Sequence, residues 1–462
     1  MSSNTLIARR RFLQRFAISS LGASALATQS RFGLIQGALA STRTPFAGGA
    51  RSLVCVFLSG GNDIYNTIIP TGADAYAQYQ GIRGGLSISD RELLPLSNTD
   101  YGFHPAMAGM QSLFDSGRLA IVGDVGTLFE PTTRESYQTG TALVPPDLFS
   151  HNDQQEIWQT ARPPIEGITQ PGWGGRMADL LADANSNPLV PPALTLAGNN
   201  NFQAGESQLP FSLDPANGVE PFLYLSGNAF PPSEPGRSAA WQQLLVETYG
   251  NALERTGAAG LESARVQIDL FGEALALAPP ITTEYPGSRI AQQLAMAARV
   301  ISVREALGMQ RQLFFVEYGS FDFHGNQLGE QAERLRELSD GLAAFQANMD
   351  ELGLADSVTA FTASDFGRTL TVNGDGTDHG WSSAAFVLGG AVNGGVIHGG
   401  LPSLEIGGPT DTDDAGRMIP AYSLDQYGAT LARWMGIGEA DLDEIFPYLR
   451  NFESRDLGFM NA

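Results

Sequence analysis

The histidines of this 462-residue chain are few: His104, His151, His324, His379 and His398. Each stands at an expected strand end, helix start or glycine-rich turn, and three have an aspartate close by: His151 with Asp153, His324 with Asp322, His379 with Asp378. In Asp322-Phe323-His324 two ligand-type side chains are two residues apart, so extended backbone turns both to one face. Asp63 follows an apolar run and two glycines. Asp365 follows another apolar run, in Ala363-Ser364-Asp365-Phe366-Gly367-Arg368, and a glycine-rich loop presents Gly376-Thr377-Asp378-His379-Gly380. Carboxylates mixed with imidazoles suit zinc first, with manganese or calcium as alternatives, at one or two ions per chain. Carboxylates that converge without a cation repel one another. Asp63, Asp322, His324, Asp365, Asp378 and His379 are therefore the candidate metal ligands.

Plainer readings stand beside these. Asp63 suits a turn after its glycines. Asp365 suits a cap or an ion pair with Arg368, and Asp378 suits a supporting role that orients His379. His104 precedes Pro105 and reads as a packing residue, and His398 reads as structural. Ser150-His151-Asn152-Asp153 resembles a capping box at the start of a helix over 153–160. It also places the Ser150 hydroxyl at a positive helix terminus, where a metal would activate it for attack on phosphorus or sulfur. His151 would then orient substrate or donate a proton. Arg368 would hold anionic oxygens of the substrate, or else pair with a nearby carboxylate.

The elements that must position these residues alternate between apolar β-rich runs and helical patterns, the signature of a mostly parallel sheet between helices in three α/β/α layers. Strands are expected at 52–58, 118–123, 191–196, 311–318, 357–362 and 384–388, with a short one at 395–398. Helices are expected at 105–116, 238–255, 261–276, 288–307, 328–352 and 424–434. Residues 197–235, rich in Gly, Pro and Asn, read as an irregular insertion. Working sites in such sheets lie beyond the carboxyl ends of the strands, where most of the candidates fall.

The formal charge is −22 and no lysine is present, so every fixed cation is an arginine. Such acidity excludes a nucleic-acid partner and disfavours anionic lipid. The single cysteine, Cys55, lies inside the apolar run 53–58 and reads as a buried strand residue, with no intramolecular disulfide possible. Arg9-Arg10-Arg11-Phe12-Leu13-Gln14, then a short apolar stretch and Ala38-Leu39-Ala40, reads as a twin-arginine export signal over about 1–40. One domain is expected over 41–462. The twin-arginine machinery would be a partner, the mature chain would have no stable membrane span, and the protein would be periplasmic or secreted.

Taken in order, the signal, 57–63, His104-Pro105, Phe149-Ser150-His151, Asp322-Phe323-His324, 364–369 and 376–380 resemble the bacterial domain-of-unknown-function family 1501, within the alkaline phosphatase-like superfamily. The resemblance implies that superfamily's fold and a two-metal hydrolytic site. Ser150 would be the nucleophile, and Asp63 the first-strand ligand. Asp322, His324 and His379 would serve one metal and Asp365 the other. Relatives commonly carry His where Phe366 stands. The expected activity is hydrolysis of phosphate or sulfate esters, on a small anionic ester or a surface polymer. The alternative is an exported metal-binding protein without catalysis that binds a partner or polymer.

Overall fold

The computed structural model describes residues 49–219 and 251–461, with isolated positions between them. The expected export signal and eight of the 18 residues of the expected helix at 238–255 lie outside the described residues. The chain forms two compact units, and the larger comprises Ala47–Gly218 with Ala274–Ala462. Among the described residues no helix is long and apolar enough to cross a membrane.

The apolar runs become β1 (Arg51–Leu58), β5 (Leu119–Gly126), β6 (Ala193–Thr195), β7 (Phe211–Ser212), β8 (Arg311–Glu317), β9 (Val358–Ser364), β10 (Ser383–Gly389), β11 (Ile397–His398) and β12 (Tyr422–Ser423). They make one sheet in the order β11-β5-β10-β9-β1-β8-β6-β7, with β12 also on β5. β2 (Ile68–Pro70), β3 (Leu94–Pro95) and β4 (Tyr101–Phe103) form a small antiparallel sheet. β1 pairs in parallel with both β8 and β9. Continuous apolar sequence is what such doubly covered parallel strands need, and β1 and β9 are buried almost end to end. Cys55 is among those buried residues, and burial pushes its thiol up.

Helices cover both faces, giving three layers. The helices Ala108–Asp115, Arg289–Ser302 and Gln327–Glu351 pack on one another, and Leu424–Met435 and Trp173–Leu181 each pack against the sheet. Ser288 caps Arg289–Ser302 by accepting from the Ala291 backbone N–H, a bond worth ~1 kcal/mol. Its inward stripe of Ile290, Leu294, Ala297, Val300 and Ile301 is fully buried.

Two expectations change, and the mostly parallel sheet has one long strand reversed. The helix after His104-Pro105 starts only at Ala108. His104 bends the chain first: its backbone N–H donates to the Thr67 carbonyl and its Nδ1 accepts from Ala106 N. The segment expected as a separate helix at 261–276 is the later part of one helix, Ala252–Leu275, because Gly257 and Gly260 are tolerated inside it. β10 runs antiparallel to β9 and β5, the one reversed strand among the long ones.

Candidate metal centre

One edge of the sheet gathers the candidates. β9, β1 and β8 are parallel neighbours, so their carboxyl ends release Asp365, the Ser59–Asp63 turn and the loop to Asp322 and His324 side by side. β10 is reversed, so the loop leading into it brings His379 to the same edge. β5 also ends there, and its continuation reaches the helix His151–Thr160. The loops meet at close range because of glycine. Gly60 has φ +118°, and a Cβ there would stand 2.6 Å from the Asp322 backbone nitrogen. A Cβ on Gly376 would stand 2.3 Å from the His324 carbonyl carbon.

Within this edge three imidazoles face the Asp322 carboxylate. His379 Nε2 lies 3.2 Å from Asp322 Oδ1, His324 Nε2 lies 3.1 Å from the same oxygen, and His151 Nε2 lies 3.4 Å from Oδ2. His324 Nε2 and His379 Nε2 are 3.0 Å apart. Ligand atoms of His151, Asp322 and His379 all fall within 4.8 Å of one another. The opposite ring nitrogens are already engaged. His151 Nδ1 is 2.7 Å from Asp365 Oδ2, His379 Nδ1 is 2.7 Å from the Phe149 carbonyl oxygen, and His324 Nδ1 is 3.4 Å from Asp378 Oδ1. Metal-binding histidines are held this way: an outer acceptor takes the Nδ1 proton and leaves the Nε2 lone pair free. His151 Nε2 is buried, makes no well-formed hydrogen bond, and has only the Asp322 carboxylate near it, at 3.4 Å. A buried nitrogen so poorly satisfied among converging donors fits a metal ligand. The donor set of three imidazoles and one carboxylate suits zinc or a related ion with bonds of ~2 Å. Side chains of His324 and Asp322 remain 47 % and 40 % exposed, so the centre opens to solvent.

Charge is tuned accordingly. The hydrogen bond to Asp365 raises the His151 pKa against the opposing effect of burial. Burial lowers His379, which favours its neutral, ligating form. Burial pushes the Asp322 carboxyl up, but the Arg368 hydrogen bond and charge, with the two nearby imidazoles, outweigh it and leave it below the usual range. Phe366 closes the floor, its ring centroid 4.8 Å from that of His151 and 4.6 Å from that of His379.

Not every candidate reaches the cluster directly. Asp63 is fully buried and its carboxylate is bound by Arg83, by Gln327 and by the Tyr65 backbone N–H. Its contacts are with these donors and with none of the histidines, so it stands apart as an ion-pair partner. Asp365 is also fully buried; both its oxygens accept from Gly60 N at 3.2 Å and one from Gln155 Nε2 at 2.8 Å. It holds His151 from behind, and so does not supply a second ion's site. Asp378 faces His324 and accepts from Asn373, rather than orienting its neighbour His379. Arg368 is 1 % exposed and spends four of its five N–H donors on Asp322, Thr377 and the Gly60 carbonyl, so it is buried beyond the reach of a substrate. His151, expected to orient substrate or donate a proton, joins the cluster from the first residue of its helix, which begins two residues earlier than expected. Ser150 is the N-cap but makes no side-chain cap; its hydroxyl donates to Asp153 Oδ2 at 2.5 Å instead.

His104 and His398 lie elsewhere. His104 is buried, and that burial lowers its pKa to about 4. His398 Nε2 is 3.1 Å from the Asn393 carbonyl oxygen. The sequence reading missed Gln155 and the Phe149 carbonyl. Gln155 was findable: it lies four residues after His151, on the same helix face. A backbone carbonyl leaves no mark in sequence.

Residues 240–412 match the model of a family described as protein of unknown function, DUF1501, the family that the motifs above resemble. No curated protein matches the sequence. Similar solved structures include a sulfatase from Pseudoalteromonas sp., at 11 % identity over 95 % of this chain and 76 % of that one, with a TM-score of 0.34. Another is the soluble domain of lipooligosaccharide phosphoethanolamine transferase A from Neisseria meningitidis, at 10 % identity over 91 % and 96 %, TM-score 0.37. A third is a lipoteichoic acid synthase from Listeria monocytogenes, at 10 % over 86 % and 74 %, TM-score 0.33. Nothing about chemistry follows from likeness at that level.

Proposed function

We propose that this protein is an exported hydrolase of phosphate or sulfate esters built around one divalent ion, held by His151, His324, His379 and Asp322. The observation that carries the reading is the set of three imidazoles whose Nδ1 atoms face outer acceptors while their Nε2 atoms converge on one carboxylate. A bound ion supplies Lewis-acid polarisation of the ester oxygen. The chain's own groups do the rest. Ser150 sits between Phe149 and His151, both of which touch the cluster, and at the positive end of a helix. Its hydroxyl oxygen bonds to phosphorus or sulfur as Asp153 takes the hydroxyl proton, the bond to the ester oxygen breaks, and the alkoxide leaves and takes a proton from water; a second water then cleaves the seryl ester, releasing phosphate or sulfate and restoring Ser150. Asp365 and the Phe149 carbonyl fix the imidazole tautomers, and the Phe366 ring keeps water from the floor. The substrate is an anionic small ester or a surface polymer, and the twin-arginine-type signal directs the protein to the periplasm or beyond.

Ser150→Ala tests the nucleophile. With phosphate and sulfate monoesters as substrates, turnover disappears while bound metal and the unfolding midpoint stay near wild type. Turnover that survives removes Ser150 from the mechanism. One observation favours a second reading, a metal-binding protein without turnover: Arg368 is sealed beneath Asp322 and offers no hold on an anion. In that case the wild type hydrolyses none of these esters yet keeps its metal.

A further inference from the structure

We infer that Asp63, Gln327 and Thr377 are positioning residues of the metal centre, joined to it by a one-way chain of buried hydrogen bonds that ends on the Asp322 carboxylate. This rests on reading the histidine cluster as a metal site. The chain starts at Asp63, neutralised by Arg83. Gln327 Nε2 donates to Asp63 Oδ2. Thr377 Oγ1 donates to Gln327 Oε1 at 2.9 Å. Arg368 Nε donates to Thr377 Oγ1 at 3.2 Å, and Arg368 Nη1 donates to Asp322 Oδ1 at 2.6 Å. Asp63, Arg83, Gln327, Thr377 and Arg368 are all 0–1 % exposed.

The direction of every bond is forced. Ionised Asp63 can only accept and Arg368 can only donate. The Gln327 amide must therefore turn its nitrogen to Asp63 and its oxygen to Thr377. The Thr377 hydroxyl must donate to Gln327 and accept from Arg368. No member can rotate without leaving a buried polar atom unpaired, a costly state in a low-dielectric interior. Arg83 locks the start of the chain to the loop beyond the site, donating to the Thr369 and Leu370 carbonyls at 3.1 and 3.3 Å. Gln331 Nε2 holds the Asp63 carbonyl oxygen at 2.9 Å. The outcome is a fixed Arg368, and so a fixed orientation of Asp322 between the imidazoles. A first-strand aspartate that reads in sequence as a ligand thus acts on the ion through four side chains, Gln327, Thr377, Arg368 and Asp322.

Thr377 is the link to cut, because one oxygen carries both bonds and valine matches threonine in shape. The experiment compares wild type, Thr377→Val and Thr377→Ser by zinc competition titration, by the visible spectrum of the cobalt(II) form, and by the unfolding midpoint of the metal-free protein. The expected result is zinc binding weakened ~10- to 100-fold in Thr377→Val with an altered cobalt spectrum, and recovery of both in Thr377→Ser. Gln327→Leu, which breaks the neighbouring link, gives the same pattern should Thr377→Val fail to fold. Wild-type zinc affinity and cobalt spectrum in both Thr377→Val and Gln327→Leu overturn the inference while leaving the metal site intact. A wild type that binds neither ion overturns the metal reading itself, and the inference with it.

Discussion

Asp365 receives four hydrogen bonds, two of them from one backbone N–H, and has no exposure with which to change partners. Its hold on His151 Nδ1 aims the opposite nitrogen inward, and it makes the imidazole a stronger base. Asp365→Asn preserves the size but removes the charge, so zinc binding by the chain should weaken ~10- to 100-fold in a competition titration. An unchanged affinity would show that Asp365 does not tune the ligand. At this scale much was legible from the sequence. Asp322, His324 and His379 announced themselves by residue type at strand ends and in a glycine-rich loop. Asp63 and Asp365 announced themselves equally well but serve differently. The sequence around an aspartate after a strand looks the same whether it meets an ion or an arginine, and Arg83 comes from a helix whose docking no local pattern encodes. Phe366 stands where relatives commonly carry His, and its ring is where the floor of the site closes.

At the scale of elements, the strands and the helices expected at 328–352 and 424–434 followed from apolar runs and helical spacing to within a few residues, whereas the one expected at 261–276 began nine residues earlier. Direction did not, because strand pairing is non-local: the seven residues of β10 read as a buried strand whichever way they run. Its reversal matters, since only a reversed strand lets the loop before it deliver His379 to the working edge. β5, its partner, carries a register shift near Asp124, which adopts φ +54° and accepts from Ser382 Oγ at 2.5 Å. Burial pushes the Asp124 carboxyl up to about 6, against those hydrogen bonds. The native state therefore keeps a proton that the unfolded chain has released, and stability attributable to this group falls as pH rises from about 4 to about 6. Asparagine tolerates positive φ and can still accept from Ser382. Asp124→Asn should match wild type near pH 4 and exceed it near pH 7 by on the order of 2 kcal/mol in denaturant unfolding. An advantage equal at both pH values would place the effect in packing rather than ionisation.

For the whole molecule, the formal charge of −22 sets the terms on which an anionic ester could approach. A surface so acidic repels such a substrate at long range, and arginine is the only fixed cation the chain has. Of the arginines near the site, Arg83 and Arg368 are buried and committed to aspartates. A divalent ion at the mouth of the edge is the positive charge that the proposed chemistry needs, and the three imidazoles are arranged to hold it. The geometry favours a single-ion centre, in place of the two-ion centre that the family resemblance implied. Elemental analysis of the protein purified without chelator decides between them. One divalent ion per chain is expected, lost in His151→Ala and in His379→Ala and kept in Asp63→Asn at saturating metal. Two ions per chain, or one that survives both histidine substitutions, would contradict it.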